Sequence, residues 1–173
     1  MAGLRKGHCY SRIQRSYTRK SKFKGKDFVK GSPVSKEIRF DMGDVAKKYS
    51  DSVNLVSLDA VQIRHNALES ARQVVNRQLN EYLGNNYYYK IHIYPHHVLR
   101  ENKMLTGAGA DRMQTGMQQA FGFPVGIAAQ VRKKQTIMSV RVDAENVEKA
   151  KQCLKKALPR IPGHFKIVIS KIV

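Results

Sequence analysis

From residue 64 to residue 83, apolar side chains return every three or four positions. Leu68, Ala71, Val74 or Val75, Leu79 and Tyr82 recur in this way, with Gln78 on the same line. The spacing predicts one face of an α-helix, a stripe about 30 Å long. Gly84-Asn85-Asn86 follows, the chemistry with which helices end. A second periodic run of about 15 residues starts after Asp143, a side chain suited to capping the first free N–H groups. Its face is Val147, Ala150, Leu154 and Ala157 or Leu158, and Pro159, Pro162 and Gly163 end it. Around these helices the period falls to two. Residues 36–40, 53–63, 87–94, 125–132, 136–142 and 165–172 alternate, or are β-branched and aromatic, which predicts strands. Val98 to Arg100 starts one more, Pro95 closes 87–94, and Lys133-Lys134-Gln135 is an exposed turn. Met138, Val140 and Val142 share one face of their strand. Strands and helix, strands, helix, strand is an α+β order, with a mixed or mostly antiparallel sheet and two main helices.

Two stretches carry no such period. Residues 1–35 read as an extended basic arm, and residues 36–173 as a single α+β domain. Residues 1–30 hold ten Lys or Arg and one acid, Asp27. Such a segment repels itself and buries no core, so it calls for a polyanion. The candidate RNA-binding residues are Arg5, Lys6, Arg12, Arg15, Arg19, Lys20, Lys22, Lys24 and Lys26, with Tyr17 among them for base stacking. Without a partner the arm reads as a disordered tail. The rest of the chain is also basic, with 22 Lys and Arg against 12 acids, and the whole carries +19. A nucleic acid or an anionic membrane surface fits that balance. The second aperiodic stretch, residues 102–118, is a long loop rich in Gly and Met, of a length usually kept for function or disorder. Lys103 and Arg112 place cations on a backbone that glycines allow to approach closely.

The remaining chemistry is sparse. Gly107-Ala108-Gly109-Ala110 lacks the Gly-Lys-Ser/Thr of a phosphate loop, and Arg112 stands where a dinucleotide fingerprint needs Gly. No cofactor is expected. His96-His97 is the one histidine cluster, and neighbours on a strand end point apart, so no metal site is expected and solvated or RNA-facing imidazoles are. Cys9 and Cys153 are far apart and predict reduced thiols. No apolar run reaches membrane-spanning length and no apolar segment opens the chain, so neither a span nor a secretory signal is expected. No catalytic constellation stands out among 13 acids. The residues alone leave three readings: an RNA-binding structural protein, an RNA-modifying or nucleotide-dependent enzyme, and a chromatin or DNA-binding protein.

One segment is more specific. Asn102-Lys103-Met104-Leu105, Gly107-Ala108-Gly109-Ala110-Asp111-Arg112, Gln114-Thr115-Gly116-Met117 and Ala120-Phe121-Gly122 together resemble the signature of one family. It is the universal large-ribosomal-subunit protein sixteen family, in its archaeal and eukaryotic "ten-e" form. Cys9-Tyr10, Arg15, Tyr17-Thr18-Arg19 and Ile137-Met138-Ser139-Val140-Arg141 agree with it, so the resemblance spans nearly the whole chain. It implies a hammerhead-like α+β fold and no enzyme. It implies a cytoplasmic, ribosome-bound protein that contacts large-subunit rRNA near the aminoacyl-tRNA site, tRNA in its acceptor and elbow region, and neighbouring ribosomal proteins. No homo-oligomer is expected. It further implies that Lys103, Met104, Gly107, Gly109, Arg112 and Gln114 lie near the peptidyl transferase centre. The lack of a eukaryotic-length C-terminal extension suggests an archaeal member. Gln118 and Phe123 depart from the pattern, which has Arg and Lys there, so two cations are missing just past the loop.

Overall fold

The computed structural model describes residues 4–13, 17, 23, 25, 28, 29, 31–103 and 105–172. Along the chain these form β1 (Asp41–Gly43), β2 (Asp51–Ser57), β3 (Val61–Arg64), α1 (His65–Leu83), β4 (Tyr88–Ile91) and β5 (His97–Glu101). A single turn of helix, α2 (Ala110–Met113), is followed by β6 (Phe123–Val131), β7 (Thr136–Val142), α3 (Val147–Lys155) and β8 (Phe165–Lys171). Five strands pair in the order β1-β4-β7-β2-β8, and a smaller sheet has the order β3-β6-β5. Every pairing is antiparallel. The class is therefore α+β, as the periodicity predicts.

Helix α1 buries Leu68, Ala71, Val75, Leu79 and Leu83. Tyr82, predicted on this stripe, is half exposed, because the line steps four residues from Leu79 to Leu83. Gly84 ends the helix at φ 58°, where a β-carbon is disfavoured, and its N–H donates to the Asn80 carbonyl at 3.1 Å. Helix α3 buries Ala150, Cys153 and Leu154 and packs on β2, β7 and α1. It is shorter than the spacing predicts, since a 3-10 turn over Ala144–Asn146 precedes it. Asp143 does not cap through its side chain. Its carboxylate accepts a hydrogen bond from Lys47 Nζ at 2.8 Å instead.

The strand predictions differ from the structure in two places, and the second shapes the molecule. Residues 36–40 form no strand, and pairing starts at Asp41. Residues 53–63 are two strands rather than one. Ser57 Oγ donates to the Asp59 carbonyl at 2.7 Å in the intervening turn, after which β2 belongs to the large sheet and β3 to the small one. Alternation alone does not report such a break, because both halves are buried and β-branched. The central strand β7 buries Ile137 and Ser139 as well as Met138, Val140 and Val142. Gly43 is fixed by its neighbour: at φ +85° a β-carbon there would lie 2.1 Å from the Tyr87 carbonyl oxygen. A separate small core joins Val29 to Val98 and Ile127 on the small sheet. Among the described residues of the arm, Val29 is thus buried against the domain rather than in a core of the arm's own.

Candidate nucleic-acid interface

The small sheet holds together the two stretches that lack periodicity. Gly7–Tyr10 form a 3-10 turn beside β3. The Gln62 backbone N–H donates to the Ser11 carbonyl at 2.9 Å, and its side-chain amide donates to the Tyr10 carbonyl at the same distance. Arg64 Nη1 donates to the Arg5 carbonyl at 3.0 Å, and its guanidinium lies 5.5 Å from the Tyr10 ring centre. Arg5 Nε pairs with Glu101 at 2.9 Å. Arg5 is thus a tether as well as a cation, whereas Lys6 and Arg12 are exposed. Tyr17 lies with its ring centre 5.9 Å from the Arg100 guanidinium. Arg15, Arg19, Lys20, Lys22, Lys24, Lys26 and Met104 lie outside the described residues.

Arg100 is a residue the sequence reading missed. A register shift between Leu99 and Arg100 leaves Val125 of β6 without a partner on β5. Such a bulge re-aims the side chain beside it. Arg100 Nη1 donates to the carbonyls of Gln119 and Phe121, the latter at 3.0 Å, and so pins the far end of the loop. Arginine in a short strand carries no pattern that announces this. The shift itself depends on the pairing of two strands.

The described residues of the loop, 102, 103 and 105–118, make more hydrogen bonds than their lack of period implies. Asn102 Nδ2 donates to the Thr115 carbonyl at 2.7 Å, and the Leu105 N–H donates to Gln114 Oε1 at 2.8 Å. Gln114 thereby ties the outgoing and returning halves together. Gly109, at φ 73°, starts the helical turn Ala110–Met113, and the Gln114 N–H donates to the Ala110 carbonyl at 3.0 Å. Gly107 takes φ +135°. Lys103 and Arg112 are exposed, and neither makes an ion pair among the described residues. Met113 is 77% exposed and Phe123 78%, so the loop also displays apolar surface. Phe123, where the family pattern has a cation, faces solvent as an aromatic ring.

The histidine pair divides as predicted: His96 is exposed with its ring 4.6 Å from that of Tyr94, while His97 is buried. His97 is therefore not the solvated imidazole first expected, and burial, then Arg100, holds its pKa below the usual imidazole value. Among the described residues no cluster of His, Cys, Asp or Glu has the makings of a metal site. Both cysteines are free. No described helix is long and apolar enough to cross a membrane.

The arm's first residues seated on a small sheet, beside a tied loop whose Lys103 and Arg112 make no ion pair among the described residues, form a cationic face of the kind that suits a nucleic acid. The profile of the family described as "Ribosomal protein L16p/L10e" matches residues 13–168. The large ribosomal subunit protein uL16 of Staphylothermus marinus is 45% identical over 171 residues, 98% of this chain and 95% of its own length. The proteins of the same name from Archaeoglobus fulgidus and Thermoplasma acidophilum are 44% and 46% identical, each over 94% of this chain and 90% of their own. The chain belongs to the ribosomal protein L16p/L10e family, a family of structural ribosomal proteins and not of enzymes.

Proposed function

We propose that this chain is a structural constituent of the large ribosomal subunit in the cytoplasm of an archaeon. It binds large-subunit rRNA near the aminoacyl-tRNA site, and through residues 102–118 it helps to position tRNA beside the peptidyl transferase centre. The arm, residues 1–35, and the domain, residues 36–173, divide the work. The arm neutralises phosphate and offers Tyr17 to bases, and the domain holds the loop out to the tRNA acceptor and elbow region. The observation that carries this reading is the tied loop. Asn102 and Gln114 fasten it at its base while Lys103 and Arg112 stay exposed and unpaired among the described residues. A cation kept free on a braced loop costs solvation only when it meets an anion, and phosphate is the anion an RNA active centre supplies. Gly107 and Gly109 bring the backbone through left-handed conformations that other residues rarely adopt.

Sedimentation tests the assignment. The endogenous protein should travel with large subunits through a high-salt gradient. A protein that washes off, or that prefers duplex DNA to rRNA, would overturn it.

A further inference from the structure

Beneath the arm lies a cavity of about 230 Å³, walled by Leu4 and Tyr10 of the arm and by Leu99, Val125 and Gly126 of the small sheet. Its lining is mostly apolar, and the Tyr10 ring and the cations Arg5, Arg64 and Lys103 are part of it. Polar groups face it from the start of α1. His65 Nδ1 accepts the Lys36 N–H at 3.3 Å, so the neutral ring carries its hydrogen on Nε2, and a β-carbon on Gly126 would sit 3.6 Å from that atom. Burial, and then Lys36 and Arg64, holds the His65 pKa down and keeps the ring neutral. Asn66 Oδ1 accepts the Ala67 N–H at 3.0 Å, which leaves its amide NH₂ to donate. Glu101 spends one oxygen on Arg5, and the second is an acceptor. A mostly apolar cavity lined by an aromatic ring, two available donors, an acceptor and cations suits a planar heterocycle that carries phosphates. We infer that this cavity receives a single unstacked nucleobase of RNA, stacked beside Tyr10, with its flanking phosphates on Lys103 and Arg64.

The guest is part of a strand rather than a free nucleotide. Tyr10 and Leu99 also line a second cavity of about 350 Å³, whose walls include Arg12 and Arg100. Arg100 Nε is buried there with no partner among the described residues. Cations therefore continue on the far side of the ring, where the next nucleotides of a strand lie. A base in the slot would touch the arm through Tyr10 and the loop through Lys103, and so would couple the seating of one to the position of the other.

This inference rests on the ribosomal, RNA-binding reading, and its test separates the two. The full-length protein is titrated with a short single-stranded RNA of mixed sequence, and with an abasic strand of the same length and charge. The wild type should prefer the base-bearing strand by about tenfold, the order expected for one base stacked on an aromatic side chain. Tyr10→Phe should keep that preference and Tyr10→Ala should lose most of it. Because Tyr10→Ala also loosens the arm, Gly126→Val supplies a second variant that fills the slot from the sheet side and leaves every arm contact in place. It too should lose the preference while its salt dependence stays that of the wild type. Equal binding of the two strands by the wild type, or an undiminished preference in Gly126→Val, overturns the slot and leaves the ribosomal reading standing. Failure to bind either strand, together with failure to sediment with large subunits, overturns both.

Discussion

Glu37 sits 2% exposed in the segment leading to β1, and among the described residues neither of its carboxyl oxygens has a hydrogen-bond partner. Arg72, the cation whose charge acts on it, is already committed. It grips both oxygens of Glu69 at 2.8 and 2.6 Å. Burial, and then the Glu69 charge, pushes the Glu37 pKa up to about 8, against a smaller opposing pull from Arg72. An unfolded glutamate ionises near 4.5. Between these values the folded state holds a proton that the unfolded state has lost, so this group lowers stability as pH rises. The penalty is absent below the unfolded pKa and complete above the folded one. At pH 7 it is on the order of 3 kcal/mol. Glu37→Leu should therefore gain more over the wild type at pH 7 than at pH 4, where only the cost of a buried neutral carboxyl remains. His65, His92 and His97 have pKa values held down by burial, so they titrate with the opposite sign. The measurement is for that reason the difference between variant and wild type in urea unfolding across this range. A difference that does not grow with pH would show that Glu37 is ionised and satisfied. Nothing in the Lys-Glu-Ile-Arg-Phe alternation reveals this residue, since a strand would have turned it to solvent. The structure has no strand there, and Glu37 is buried while Ile38 is exposed.

Among the elements, the long helix was legible because Leu68, Ala71, Val75 and Leu79 repeat over many turns, where one misread position changes little. The break between β2 and β3 was not. Two buried strands joined by three residues look like one, and only their partners on different sheets separate them. The loop was visible as an absence of period, yet its bracing by Gln114 depends on a contact across nine residues. The brace bears on the functional reading. Gln114→Leu removes the acceptor for the Leu105 N–H and should raise hydrogen exchange across 103–114 without moving the thermal midpoint, because an exposed loop adds little to the core. Lys103→Ala with Arg112→Ala should leave that exchange unchanged, as neither side chain ties the loop. Ribosomes rebuilt with the double variant should assemble, and they should accommodate tRNA or form peptide bonds more slowly. Wild-type rates in those particles would reduce the loop to packing on rRNA.

At the scale of the whole molecule, charge decides more than packing. The arm is tied to the small sheet at residues 5–11 and by Val29, so deleting it would confound lost contacts with lost charge. A cleaner variant keeps those anchors and replaces Arg15, Arg19, Lys20, Lys22, Lys24 and Lys26 with Gln. Each phosphate neutralised releases about 0.7 of a counterion from a single strand, so the six together should flatten the slope of log K against log salt by roughly 4 on an rRNA fragment. The thermal midpoint of the free protein should hold or rise, since a chain of net +19 sheds self-repulsion when six cations go. The domain's own cations, Lys103 and Arg112 among them, should preserve a residual slope. Tyr17 remains in the variant, so any base-stacking contribution survives and the change reads phosphate contacts alone. An unchanged slope would mean that these six side chains meet no phosphate. The RNA affinity would then belong to the small sheet and the loop, with the arm reduced to residues 5–11 holding the sheet's face.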